Sequence, residues 1–160
     1  MRKRFDQQIS LGITPISEVK INIKSRDEMP PILVALQTIF ITPELNEKIF
    51  SILEDKLTKD KKATGRWGMD LWHILVLSVV RHGCNTNWDK LHRYANFDME
   101  LRSIMGLHVS DFQEDFLFLE YQNILDNVSL LDAETINKIN SLVVEYGVNL
   151  LKKKRTKQYI

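Results

Sequence analysis

The chain is short of cysteine: Cys84 is the one thiol in 160 residues. An internal disulfide is excluded, and so is a zinc finger built on paired cysteines. A lone thiol suits a reducing compartment, so the expectation is a cytoplasmic protein. Long apolar runs are missing too. The most apolar window, residues 71–80, falls well short of the ~20 residues needed to span a bilayer, and no membrane partner is expected. The basic start (Met1, Arg2, Lys3, Arg4) leads into Phe5, Asp6, Gln7 and Gln8 rather than an apolar stretch, so it does not read as a secretory signal. Glycine is scarce, and Gly65-Arg66-Trp67-Gly68 lacks both the following Lys-Ser/Thr and the preceding strand of a phosphate loop. Excess charge is also absent. A net charge of +1 favours no partner by itself.

A chain of this length makes one domain and buries roughly 70% of its unfolded surface, enough for a core without cross-links. Helical periodicity dominates from residue 27 onward. Pro30 and Pro31 suit a first turn, with Leu33, Leu36, Ile39 and Phe40 on one face. Thr42-Pro43 opens a second helix carrying Leu45, Ile49, Ile52, Leu53 and Leu57. Residues 59–68 read as a polar loop. Behind an Asp70 cap, residues 71–82 are apolar on nearly every side, which places that helix at the centre. A tight turn at residues 83–86 leads to a short helix over about 88–96, facing Trp88, Leu91, Tyr94 and Ala95 inward. Another short helix, about 98–105, ends at Gly106. A helix over about 115–127 should bury Phe116, Leu119, Ile124 and Leu125. The last helix starts at Asp132 and carries Ile136, Ile139, Leu142, Val143, Tyr146, Leu150 and Leu151 at helical spacing. The expectation is an all-α fold of about six to seven helices with a helix-turn-helix-like centre. Residues 1–26 should form an extended N-terminal arm, where Val19, Ile21 and Ile23 alternate with polar residues like a short strand. Residues 27–154 form the helical domain, and 155–160 a basic tail.

Charge is unevenly placed. Residues 111–134 hold seven acids and no Lys or Arg, whereas cations gather at Arg2 to Arg4, at 59–62 and at 152–157. Such clusters suit phosphate, and equally suit plain solvated surface. The buried helix, glycine-containing turn and short second helix over 71–96 resemble a helix-turn-helix. Its second helix is expected to expose Asn87, Lys90, His92, Arg93 and Asn96, residue types that contact phosphates or read base edges. Two helices joined by a short turn are also common in domains that bind no DNA. His82, Cys84 and His92 lack metal-ligand spacing, and Cys84 has no evident oxyanion device or orienting third group. The acids of 111–134 sit at helix starts, where they offset the helix dipole. Trp67, Trp72 and Trp88 read as packing residues rather than a base-stacking platform. No metal or cofactor is expected.

The order of several segments resembles a known family. Gly65-Arg66-Trp67-Gly68-Met69-Asp70-Leu71-Trp72 leads to Val76-Leu77 and Arg81, then Asp89, Leu91-His92, Ala95-Asn96, Leu101-Arg102 and Met105-Gly106. Thr42-Pro43-Glu44-Leu45-Asn46, Asp126-Asn127-Val128, Ile139-Asn140 and Leu142-Val143 fit the same pattern. From about residue 27 to Lys154 the chain is similar to the N-terminal helical region of bacterial insertion-sequence transposases of the DDE class. Trp67 departs from the proline common there. The resemblance implies a DNA-binding and assembly domain that precedes a catalytic domain whose three carboxylates bind two metal ions. No such triad can be placed on this sequence, so the expectation is a non-enzymatic domain truncated before the catalytic part. It would bind double-stranded DNA at transposon ends through Asn87, Lys90, His92, Arg93 and Asn96, aided by Lys152, Lys153, Lys154 and Arg155. A second copy or a full-length transposase are its candidate protein partners. The alternative is a helical protein-interaction module, without nucleic acid, that uses the arm and the last helix as contact surfaces.

Overall fold

The computed structural model describes residues 2–5, 13–24, 26–57, 68–110, 112 and 116–158. Seven α-helices follow one another: α1 (Met29–Ile41), α2 (Pro43–Leu57), α3 (Leu71–Gly83), α4 (Trp88–Phe97), α5 (Met99–Met105), α6 (Tyr121–Val128) and α7 (Ala133–Gln158). A 3-10 turn, Ile16–Glu18, precedes them, and no strand occurs among the described residues. The all-α expectation holds. The loop expected at 59–68 lies outside the described residues except for Gly68.

The apolar girdle of α3 organises the rest. Leu71, Trp72, Ile74, Leu75, Val76, Leu77 and Val80 are all fully buried, and α1, α2, α4, α5 and α6 pack around them. A rod apolar on all sides has no face to give to water, so it ends up enclosed. Its neighbours are set by simple breaks. Thr42 turns extended between α1 and α2; its N–H still bonds Thr38 O at 3.1 Å while its own carbonyl accepts Asn46 N at 2.8 Å. Gly106 adopts the left-handed conformation (φ 74°) that closes α5, and a Cβ there would stand 2.7 Å from the Phe5 ring.

Asp70 stands at the cap position of α3 but makes no capping hydrogen bond. The first donors of the helix go to the N-terminal segment instead: Leu71 N bonds Lys3 O at 2.9 Å and Trp72 N bonds Arg4 O at 3.0 Å. Buried orphan N–H groups need such partners, and in a dry core only another stretch of backbone or a side chain can supply them. Phe5 then packs edge-on to Phe40, Trp72 and His73 at centroid distances of 5.4, 6.4 and 5.9 Å. Further on, Ile16 is buried in the core, and Gln37 holds the Ile16 and Val19 carbonyls at 2.8 Å each. The described residues of the extended arm thus lie against the helical domain. Ile16 alone of them is buried, Phe5, Val19 and Ile21 pack against the core from its edge, and Ile23 stays exposed, with no strand partner among the described residues.

Two side chains of α3 finish α5 in return. Trp72 Nε1 donates to Ile104 O and His73 Nε2 to Met105 O, both at 2.8 Å, taking up carbonyls a helix end leaves open. A second correction concerns α6, which begins at Tyr121 rather than near 115. Residues 116–120 are irregular because buried polar side chains claim their backbone. Arg102 is fully enclosed (0% exposed). It donates to Ala95 O and Leu117 O at 2.8 Å and to His108 O at 2.5 Å, with its guanidinium 4.1 Å from the Phe116 ring centroid. Burial lowers its pKa to about 10. α7 starts where expected: Asp132 accepts from Thr135 N at 2.9 Å and pairs with Lys56 of α2 at 2.8 Å. It then runs through Gln158.

Arg102→Met should lower stability by about 3 kcal/mol, since three carbonyls lose a charged donor. A shifted urea midpoint and faster amide exchange at Leu117 and Leu119 are the readouts. His73 gives a pH test. Burial, reinforced by the Arg102 charge, holds its imidazole below the ordinary pKa, against the Met105 bond and Asp70. The unfolded chain takes up that proton near the ordinary value of about 6.5 while the folded chain does not. Stability contributed at this position is therefore full above pH about 6.5 and falls as the pH drops towards the folded value. His73→Gln keeps an amide donor and should flatten the melting-temperature profile between pH about 5 and 6.5; an unchanged slope would contradict the assignment.

Candidate nucleic-acid interface

The α3–α4 unit is built by its turn. Asn85 takes a left-handed conformation (φ 50°), and Thr86 N reaches back to Arg81 O at 3.1 Å. Asn87 caps α4, its Oδ1 accepting from Lys90 N at 2.8 Å. The Arg81 guanidinium lies 4.0 Å from the Trp88 ring centroid and ties the end of α3 to the start of α4. Leu91 and Ala95 bury the inner face of α4.

The outer face divides the expected contact residues. Lys90 and Arg93 are exposed, beside an open hollow that Tyr94, Phe97 and Asp98 also line. The Lys90 ammonium sits 5.6 Å from the Tyr94 ring centroid. Asp89, on the same exposed side, adds one opposing charge. Asn87 is exposed, but its amide oxygen is committed to the cap. His92 is half-buried, edge-on to Phe118 at 5.5 Å and Tyr121 at 5.8 Å.

Asn96 is a correction: it is 1% exposed and faces inward. Its Nδ2 donates to Leu119 O at 2.9 Å and its Oδ1 accepts from Leu119 N at 2.7 Å, a two-bond clamp on the backbone; the same Nδ2 also donates to His92 O at 3.0 Å. One turn of helix beyond Arg93, it rotates onto the side covered by residues 116–120.

The basic clusters also separate. Arg4 is consumed by an ion pair with Glu54 and a two-bond pair to Glu47 at 2.7 and 3.2 Å, which raises the Arg4 pKa and lowers that of Glu47. Arg2 is half-buried and donates to Asn127 Oδ1 at 2.5 Å and Met69 O at 3.1 Å; burial lowers its pKa. Neither is available as a phosphate footprint. Lys152, Lys153, Lys154, Arg155 and Lys157 are exposed on the last turns of α7. The lysines of 59–62 lie outside the described residues, as does Trp67.

Among the described residues no three His, Cys, Asp or Glu side chains gather as metal ligands. Burial, with Glu28 and Asp27 adding, pushes the Cys84 thiol up, opposite to the shift a nucleophile needs. Trp72 is core and Trp88 is turned under Arg81. Sequence reasoning missed the structural part of Arg102. Its signal was an arginine on the Leu101, Ile104, Met105 side of a short amphipathic helix, next to a stretch without clear periodicity. Searches among known protein families, curated proteins and solved structures find no match for this chain.

If Asn96 is a structural clamp, Asn96→Ala should cost about 2 kcal/mol by orphaning the Leu119 N–H and carbonyl. Chemical denaturation measures the loss. Neutral behaviour at this position would return the side chain to the list of surface contacts.

Proposed function

We propose that the chain acts as a DNA-binding and assembly domain, of the kind that precedes the catalytic domain in insertion-sequence transposases, and performs no catalysis itself. The observation that carries this reading is the outward pair Lys90 and Arg93 on the second helix of a compact helix–turn–helix unit whose first helix is buried from Leu71 to Ser78. Cations one turn apart on a rigid helix match successive phosphates or a guanine edge in a major groove. The exposed cations at the end of α7 supply a second, sequence-independent contact. The resemblance in the order of segments points the same way. Asn96 is not among the contacts, and Asn87 contributes chiefly by fixing the first turn of α4.

A second reading, a protein-interaction module without nucleic acid, draws on exposed apolar side chains: Phe112 at 95%, with Leu117 and Phe118 beside the α4 flank.

Fluorescence anisotropy on duplex DNA across a salt series separates the two. The wild type should bind with affinity falling steeply as salt rises. Lys90→Glu with Arg93→Glu should weaken binding more than about tenfold and reduce the salt slope by about 2, with the helical circular dichroism unchanged. Absence of any salt-dependent binding by the wild type would leave the interaction module standing.

A further inference from the structure

We propose that the outward faces of α1 and α7 form a two-fold interface with a second copy of this chain, the two α7 helices running antiparallel and crossing near residue 146. Three observations combine. First, α1 carries no charged residue in its 13 positions, yet Val34 and Ile41 stand exposed. A helix with no polar side is one whose sides are all covered. Beside it lies a groove of about 340 Å³ between α1, the end of α3 and the first half of α7, lined by Ile32, Ala35, Val79, His82, Ile136 and Asn137 among others.

Second, α7 has two seams. Ile136, Ile139, Leu142 and Tyr146 are spent on the domain. On the other side Asn137, Ser141, Val144, Val148 and Arg155 recur at four, three and seven residues, the spacing of a coiled-coil seam. Val144 is 64% and Val148 43% exposed. Reversing the direction about residue 146 maps Val144 onto Val148 and Asn137 onto Arg155, so the seam is self-complementary when antiparallel. Gly147 flanks that centre, and a Cβ built on it meets nothing within 4 Å, which leaves room for a second backbone.

Third, charge fixes direction and occupant. Residues 152–157 present Lys152, Lys153, Lys154, Arg155 and Lys157 without an acid, whereas the opposite end of this face presents Glu134 of α7 and Glu28 ahead of α1. A parallel pair would stack cations on cations. An antiparallel pair sets each basic end against the acidic end of the other copy, so the chain carries its own complement. Lys138 lies off the seam, on the α2 side near Asp55. At 100° per residue Lys153 and Lys157 point away from the seam and stay free of it.

Sedimentation equilibrium of the full chain across the micromolar range tests the proposal. The wild type should be a dimer. Val144→Asp with Val148→Asp should raise the dimer Kd more than about tenfold, and circular dichroism should stay helical because both side chains are exposed. In a Cys84→Ser background, Gly147→Cys should cross-link to itself under mild oxidation while Lys153→Cys does not. A monomeric wild type, a dimer that survives both aspartates, or equal cross-linking at the two positions overturns the proposal. DNA binding is read separately: a dimer that ignores DNA refutes only the function above, and a monomer that binds DNA refutes only this interface.

Discussion

The satisfaction of α3 is the constraint on which the fold depends. A helix with no polar side must be surrounded, and a surrounded helix cannot leave its first amide donors to water. The carbonyls of Lys3 and Arg4 meet that need. Once they are docked, Phe5 lies over Phe40, Trp72 and His73, Arg4 reaches Glu47 and Glu54 on α2, and Arg2 reaches Asn127 on α6. Gly68 belongs to the same arrangement, since a Cβ there would collide with the Arg2 guanidinium. Four residues of chain therefore join four helices, α1, α2, α3 and α6.

Buried polar side chains do the corresponding work on the other flank. Trp72 and His73 close the end of α5, while Arg102 and Asn96 hold residues 116–120 by their backbone. Hydrogen bonds of this kind gain little net energy when made, but leave a costly unpaired group when broken. Their effect is on specificity of position. With the 116–120 segment pinned over the inner side of α4, the helix has one rotation available, and that rotation leaves Lys90 and Arg93 in water while Asn96 is enclosed.

Helices with strong apolar periodicity were legible from the sequence: α1, α2 and α3 start and stop where Pro, Thr42 and Gly83 indicate, and Gly106 ends α5 as its residue type predicts. What escaped was whatever depended on contacts distant in sequence. The bond between Lys3 O and Leu71 N spans the whole of α1 and α2, and no local pattern encodes it. Residues 116–120 continue a helical apolar spacing that loses to Arg102 and Asn96, which can claim a backbone only after the fold has brought them near. The same blindness affected the candidate interface. Position on a helical wheel could distinguish Leu91 from Arg93, but not an Asn exposed to solvent from an Asn clamped by a loop 23 residues further on.

Net charge near zero conceals a sorted distribution. Arg2 is held by Asn127 and Arg4 by Glu47 and Glu54; Lys56 is paired with Asp132; Arg102 is sealed among carbonyls. Glu120 and Asp126 stay exposed on α6 and Glu134 at the start of α7, and cations stay exposed at the far end of α7 and on α4. Fixed charges separated in this way act over about a Debye length, roughly 8 to 10 Å at ordinary salt, so each patch presents its own field rather than the molecular average. On α4 Lys90 and Arg93 share their side with Asp89 and Asp98, so the cations there stand beside acids. An antiparallel copy would meet α7 as a dipole that complements itself. Which charges are paired and which stay exposed is set by contacts distant in sequence, and the bulk composition encodes none of them.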